Sequence, residues 1–274
     1  MPASPNPPSS GPADPARHIA RIALQCLDLT SLNDSDGPQQ VEDLCARARR
    51  AKAHPAAVCV WPRLAALAHG ELPAAVAVAA VANFPDGGTD IERALRDTGQ
   101  IVQAGAQEVD VVLPWRALLA GDEAACSALL QAVRRACEGL KLKVILESGE
   151  LHDAALVRRA GELALQSGAD FIKTSTGKTR RGASPEAARV MLQTLAAHER
   201  AGGQRAGFKA SGGVRTVADA AVYVELVESI LGPGAAGPAR FRIGASGLLD
   251  DIEAVLAWPA TLPRGPAAGP RTTY

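Results

Sequence analysis

Two lysines sit at the ends of apolar runs that read as buried strands, Lys173 in "DFIKTSTGK" and Lys209 in "GFKASGG". Lysine is strongly hydrated and rarely fully buried. Two acidic residues hold equivalent places, Asp110 in "EVDVVLP" and Glu147 in "LKVILESG". If the fold brings both ammonium groups to one half-desolvated mouth, each disfavours the charge on the other. Moving a lysine pKa from ~10.4 to near 7 takes roughly 4–5 kcal/mol, which a like charge and partial burial together supply. A lysine neutral at pH 7 attacks carbonyls and forms a Schiff base, and a carboxylate such as Asp110 then shuttles protons directly or through water. The competing reading is a structural ion network that pairs Lys173 and Lys209 with Glu147 and Asp110. The residues alone do not say which lysine attacks.

A second chemistry lies in the glycine-rich segments "ASGGVR" (210–215) and "IGASG" (243–247). Gly212 and Gly213 let the backbone approach an anion closely, and Ser246 offers a hydroxyl, so the two turns read as a phosphate cradle. By contrast, "TGKT" (176–179) is no P-loop, because Ile172 stands where that motif needs its first glycine. The five histidines (His18, His54, His69, His152, His198) lack metal-ligand spacing, which disfavours a zinc-dependent mechanism.

Eight short apolar runs are available to position these residues. They lie at 27–32, 57–61, 75–84, 108–114, 142–149, 170–175, 207–211 and 240–246. Helical patterns fall between them, clearest in "DIERALRDTGQIVQAG" and "SPEAARVMLQTLAAHE". The second begins with Ser184 at an N-cap and Pro185 at the first helical position. Eight alternations predict a parallel sheet that closes as a (β/α)8 TIM barrel, with an open doubly wound sheet as the alternative. A barrel places its chemistry at the C-terminal ends of its strands. Those ends carry Asp28 and Thr30, Cys59, Asn83, Asp110, Glu147, Lys173, Lys209 and the "GAS" of 244–246.

The 274 residues suffice for one such barrel, expected over 17–258 with an extra N-terminal helix. Residues 1–16 are Pro/Ser-rich and predicted to be disordered, and 259–274 form a loose tail ending in Tyr274. Hydrophobic residues make up 47% and aromatics 3%, so the core must be built from Ala, Val, Leu and Ile. The formal charge is zero, which argues against nucleic-acid or acidic-membrane partners. No stretch has the length of a membrane helix, and no signal peptide is evident. Five cysteines without a CxxC pair fit a reducing cytoplasm.

Taken together, "LDLTSLN", "VCVWPR", "ANFPDGG", "GAQEVDVVLPWRALLAGD", "KVILESGEL", "GADFIKTSTGK", "GFKASGGVRT" and "RIGASGLL" resemble the deoxyribose-phosphate aldolases, specifically the longer class I members that end in a tyrosine. The likeness runs in order from about residue 20 to 258 and resumes at Tyr274. It implies a metal- and cofactor-free barrel that reversibly cleaves 2-deoxy-D-ribose 5-phosphate to D-glyceraldehyde 3-phosphate and acetaldehyde. It also implies a homodimer and a cytoplasmic, catabolic role. The resemblance makes Lys173 the Schiff-base nucleophile. Lys209 becomes the perturbing and proton-transferring lysine, and Asp110 the proton donor and acceptor. Tyr274 is implied to assist proton transfer. Gly177, Lys178, Gly212, Gly213, Val214, Arg215, Gly244 and Ser246 fall on phosphate-contacting positions. Asp28, Thr30 and Asn33 fall at the substrate end, and Cys59 near the aldehyde. One departure is Gly247, where close relatives carry a second serine. The alternatives are another Schiff-base sugar-phosphate enzyme, or a silent sugar-phosphate binder on the same barrel.

Overall fold

A computed structural model of the chain describes residues 14–257, apart from residue 52. Eight strands form a closed, all-parallel barrel in sequential order: β1 (Leu27–Thr30), β2 (Ala57–Val60), β3 (Ala77–Ala82), β4 (Glu108–Val112), β5 (Lys141–Ile145), β6 (Phe171–Lys173), β7 (Gly207–Ser211) and β8 (Phe241–Ala245). Around it run α1 (Pro15–Gln25), α2 (Pro38–Arg50), α3 (Ala65–Glu71), α4 (Ile91–Gln103), α5 (Trp115–Leu119), α6 (Glu123–Ala136), α7 (Ala154–Gln166), α8 (Pro185–Arg200), α9 (Val217–Leu231) and α10 (Leu248–Ala257). The expected barrel is therefore the observed one, and the open sheet is not.

The strands are continuous apolar runs because helices cover their outer face. β2 reads AVCV and β3 AVAAVA, and both are buried almost throughout. Helix starts follow local chemistry: Asp90 accepts from the Arg93 amide, Ser184 from Ala187 and Thr216 from Asp219. α1 is the additional N-terminal helix, packed against α9 and α10. It starts at Pro15, two residues inside the stretch expected to be disordered. Asp14 caps it through the Ala16 amide and proline occupies the first turn. No described helix is long and apolar enough to cross a membrane.

Register brings the polar residues together. Lys173 of β6 lies opposite Lys209 of β7, Lys209 opposite Arg242 of β8, and Asp110 of β4 opposite Lys143 of β5. Gly207 leaves room for the Phe171 ring, since a Cβ there would stand 2.2 Å from it.

Candidate active site

A connected ion cluster occupies the barrel interior. Lys173 Nζ donates to Asp110 Oδ2 at 2.9 Å. Lys209 Nζ donates to the same oxygen at 2.8 Å and to Asp28 Oδ2 at 2.5 Å. Lys143 Nζ reaches Asp110 Oδ1 and Glu108 Oε2, each at 2.6 Å, and Asp28 at 3.4 Å. Arg242 closes the floor, with Nη1 on Asp28 at 2.7 Å and Nη2 on Glu108 at 2.8 Å. Asp28, Asp110, Lys143 and Lys209 are wholly buried, and Lys173 is 2% exposed.

Charge is shared unevenly. Three buried carboxylates, those of Asp28, Glu108 and Asp110, face four buried basic side chains, so this inner set is balanced when one base is neutral; half-buried Lys141 lies at its edge, 3.9 Å from Glu108. Burial works against the ammonium at Lys143 and Lys209, yet the carboxylates around each outweigh it and hold both above the ordinary lysine range. Among the described residues, Lys173 forms an ion pair with a single carboxylate, that of Asp110. Burial, aided by the Lys209 ammonium and opposed by Asp110, pushes Lys173 below the ordinary lysine range. The geometry thus distinguishes the two lysines that their sequence positions left equivalent. Burial also pushes up the Cys59 thiol, which stays uncharged and fully buried.

A cleft of about 290 Å³ opens between the loops that follow β1, β6, β7 and β8. Of the residues expected to bind substrate, Thr30, Asn33, Gly177, Lys178, Gly212, Gly213, Val214, Arg215, Gly244 and Ser246 all line it. Gly177, Gly212 and Gly213 have φ of 77°, 87° and 90°, the left-handed region that favours glycine. Gly244 has a second use: a Cβ there would lie 2.7 Å from Ser211 Oγ and 3.0 Å from Lys209 Cε. The glycine lets Lys209 pass beside the cleft wall. A larger groove of about 490 Å³ between the starts of α7 and α8 includes none of the cluster's charged residues.

Asp28 and Cys59 are not walls of the cleft; Asp28 is a member of the buried cluster. Glu147 hydrogen-bonds neither lysine. Its carboxylate accepts from Thr176 and Thr179, because the chain turns away there at φ 53°. The ion network does exist, then, with Asp110 but without Glu147. Tyr274 lies outside the described residues. The sequence reading overlooked Glu108, Lys143 and Arg242. Their signal was a charge on the inward face within a strand: Glu108 stands two residues before Asp110, at the period that returns a side chain to the same face.

Lys173, depressed and paired with Asp110 beside a glycine-walled cleft, gives this closed (β/α)8 barrel the equipment of an enzyme for carbonyl chemistry. Residues 22–250 match the model of the DeoC/LacD family aldolases, and the chain belongs to that family. A curated deoxyribose-phosphate aldolase from Agrobacterium fabrum is 46% identical over 244 residues, spanning 88% of this chain and 93% of the relative. A crystal structure of a candidate deoxyribose-phosphate aldolase from Coccidioides immitis superposes with TM-score 0.74 at 30% identity, covering 86% of this chain and 87% of that one. The tetrameric deoxyribose phosphate aldolase of Aeropyrum pernix gives TM-score 0.68 at 25% identity, covering 87% and 92%.

Proposed function

We propose that the chain reversibly cleaves 2-deoxy-D-ribose 5-phosphate to D-glyceraldehyde 3-phosphate and acetaldehyde through a Schiff base on Lys173. Family membership and the 46% identical relative support the lyase activity. The uneven sharing of carboxylates, which leaves Lys173 as the base most easily deprotonated, carries the choice of nucleophile.

The neutral Lys173 amine adds to the C1 aldehyde, and the carbinolamine loses water to give an iminium. Cleavage then falls between C2 and C3, because only the C2–C3 electron pair can flow into the C1–nitrogen double bond. The C3 hydroxyl gives up its proton as the glyceraldehyde carbonyl forms, and an enamine remains on Lys173. Protonation at C2 and hydrolysis by water release acetaldehyde and regenerate the amine. Asp110, which bridges Lys173 and Lys209, is placed to pass these protons. Tyr274 is assigned a supporting part in the C2 proton transfer by resemblance alone. The cleft backbone, with Lys178, Arg215 and Ser246, holds the phosphate and orients the glyceraldehyde end. We include a cytoplasmic setting, consistent with five free and buried cysteines. A homodimer also belongs to the proposal.

Borohydride reduction in the presence of acetaldehyde tests the central step. It is expected to leave an ethyl group on Lys173 and no label in Lys173→Ala. A label on Lys209 instead, or turnover in an enzyme that reduction cannot trap, overturns the assignment. A catalytically silent sugar-phosphate binder would form no reducible adduct.

A further inference from the structure

Glu147 lies two residues past the end of β5, as a fully buried carboxylate that the aldol chemistry leaves unused. Its backbone is left-handed, at φ 53°, a conformation that non-glycine residues seldom adopt without a reason in the surrounding structure. The residues on either side are tied down, since Leu146 N donates to Lys173 O at 2.9 Å and Ser148 N to Thr174 O at 2.8 Å. From this anchored position the carboxylate takes its hydrogen bonds from one neighbouring turn. Thr176 Oγ1 donates at 2.6 Å, the Thr176 amide at 3.2 Å and Thr179 Oγ1 at 3.3 Å. Thr176 Oγ1 in turn accepts from the Lys178 amide at 3.0 Å. The Thr176 hydroxyl and amide both donate to this carboxylate and hold the turn in one orientation, while the Thr179 hydroxyl shares its proton between Glu147 and Arg181 O, each at 3.3 Å. The turn carries Gly177 and Lys178 to the cleft wall.

We propose that Glu147 is a positioning residue for substrate specificity: acting through Thr176, it fixes the Gly177–Lys178 turn and thereby sets the preference for a phosphorylated over an unphosphorylated deoxysugar. The inference rests on the reading of the cleft as the phosphate site. A residue that only stabilised the barrel would affect both sugars alike, whereas a positioning residue for the phosphate turn acts on one.

The test compares kcat and KM for 2-deoxyribose 5-phosphate and 2-deoxyribose in wild type, Glu147→Gln, Thr176→Val and Lys178→Ala. Glu147→Gln and Thr176→Val are each expected to raise KM for the phosphorylated sugar, so that selectivity for it falls by about tenfold or more. Thr176→Val replaces the linking hydroxyl of this cleft-lining residue by a methyl group of similar size and carries the test if Glu147→Gln folds poorly. Equal losses on both sugars, or no loss on either, overturn the proposal. Lys178→Ala separates the two levels. If it lowers the selectivity and the other variants do not, Glu147 alone is misassigned. If wild type has no preference for the phosphorylated sugar, or Lys178→Ala leaves the preference intact, the phosphate reading itself falls and this inference with it.

Discussion

Asp110 holds Lys173 and Lys209 on one oxygen, and what separates the two lysines is Asp28, which lies 2.5 Å from Lys209. A second carboxylate holds Lys209 above the ordinary lysine range, while burial, aided by the Lys209 charge, pushes Lys173 below it. Replacing Lys209 with Met removes the repulsion and leaves Asp110 freer to pair with Lys173. The Lys173 pKa then rises. Since the neutral amine is the reactive form, the ascending limb of kcat/KM against pH is expected to move to higher pH, with a loss at pH 7 of about 10²-fold or more. Asp110→Ala is expected to lose at least as much while its circular dichroism spectrum stays that of wild type. An unmoved pH limb in Lys209→Met would show that Lys209 does not set the nucleophile's charge. At this scale the sequence was legible as far as Lys173, Lys209 and Asp110, each a charge in an apolar run. Lys143 and Arg242 carry the same signal but lie inside β5 and β8, away from the C-terminal strand ends where barrel chemistry is expected.

Strands and loops translate sequence into position by close backbone approach. β7 opens with Gly207, whose missing side chain is replaced by the Phe171 ring of β6, and Phe171 lies under Arg242 at 5.5 Å. Gly207→Ala forces the ring aside and is expected to cost about 1–3 kcal/mol of stability by overpacking, measured by urea unfolding. A cost near zero would mean that the ring has room to move. The loops are stacked just as tightly: a Cβ at Gly182 would lie 2.3 Å from Gly212 O, and one at Gly149 would lie 2.4 Å from Arg181 O. Helix starts were readable locally, as Ser184 and Pro185 illustrate, because a cap acts within four residues. The direction of Glu147 was not readable, because a left-handed turn at a glutamate has no local sequence signature.

For the molecule as a whole, the closed barrel stores charge at its centre. Burial raises the carboxyl pKa of Asp28, Glu108 and Asp110, but the surrounding lysines and Arg242 outweigh it and hold all three below the ordinary range. A depressed folded pKa stabilises above the unfolded value of about 4, and that contribution is lost as pH falls through the folded values. The melting temperature is therefore expected to hold level from neutral pH down to about 5 and to drop steeply below about 4. Asp28→Asn removes one of the two carboxylate partners of both Lys209 and Arg242 and leaves excess positive charge buried, and is expected to cost about 3–5 kcal/mol at pH 7 while flattening the acid slope. An acid slope unchanged in that variant would place the titration outside the cluster.

By itself the sequence determined the eight alternations, hence the barrel, and the residues with chemical capacity, because strand period, helix caps and glycine turns act over a few neighbours. It also carried the likeness that joins this chain to the aldolases. Only the tertiary structure decided which charges meet. Closure of β8 onto β1 brings Arg242 to Asp28, 214 positions earlier in the chain, and the β6–β7 register sets Lys173 beside Lys209. The electrostatics of the nucleophile depend on those distances, and chain separation carries no information about them.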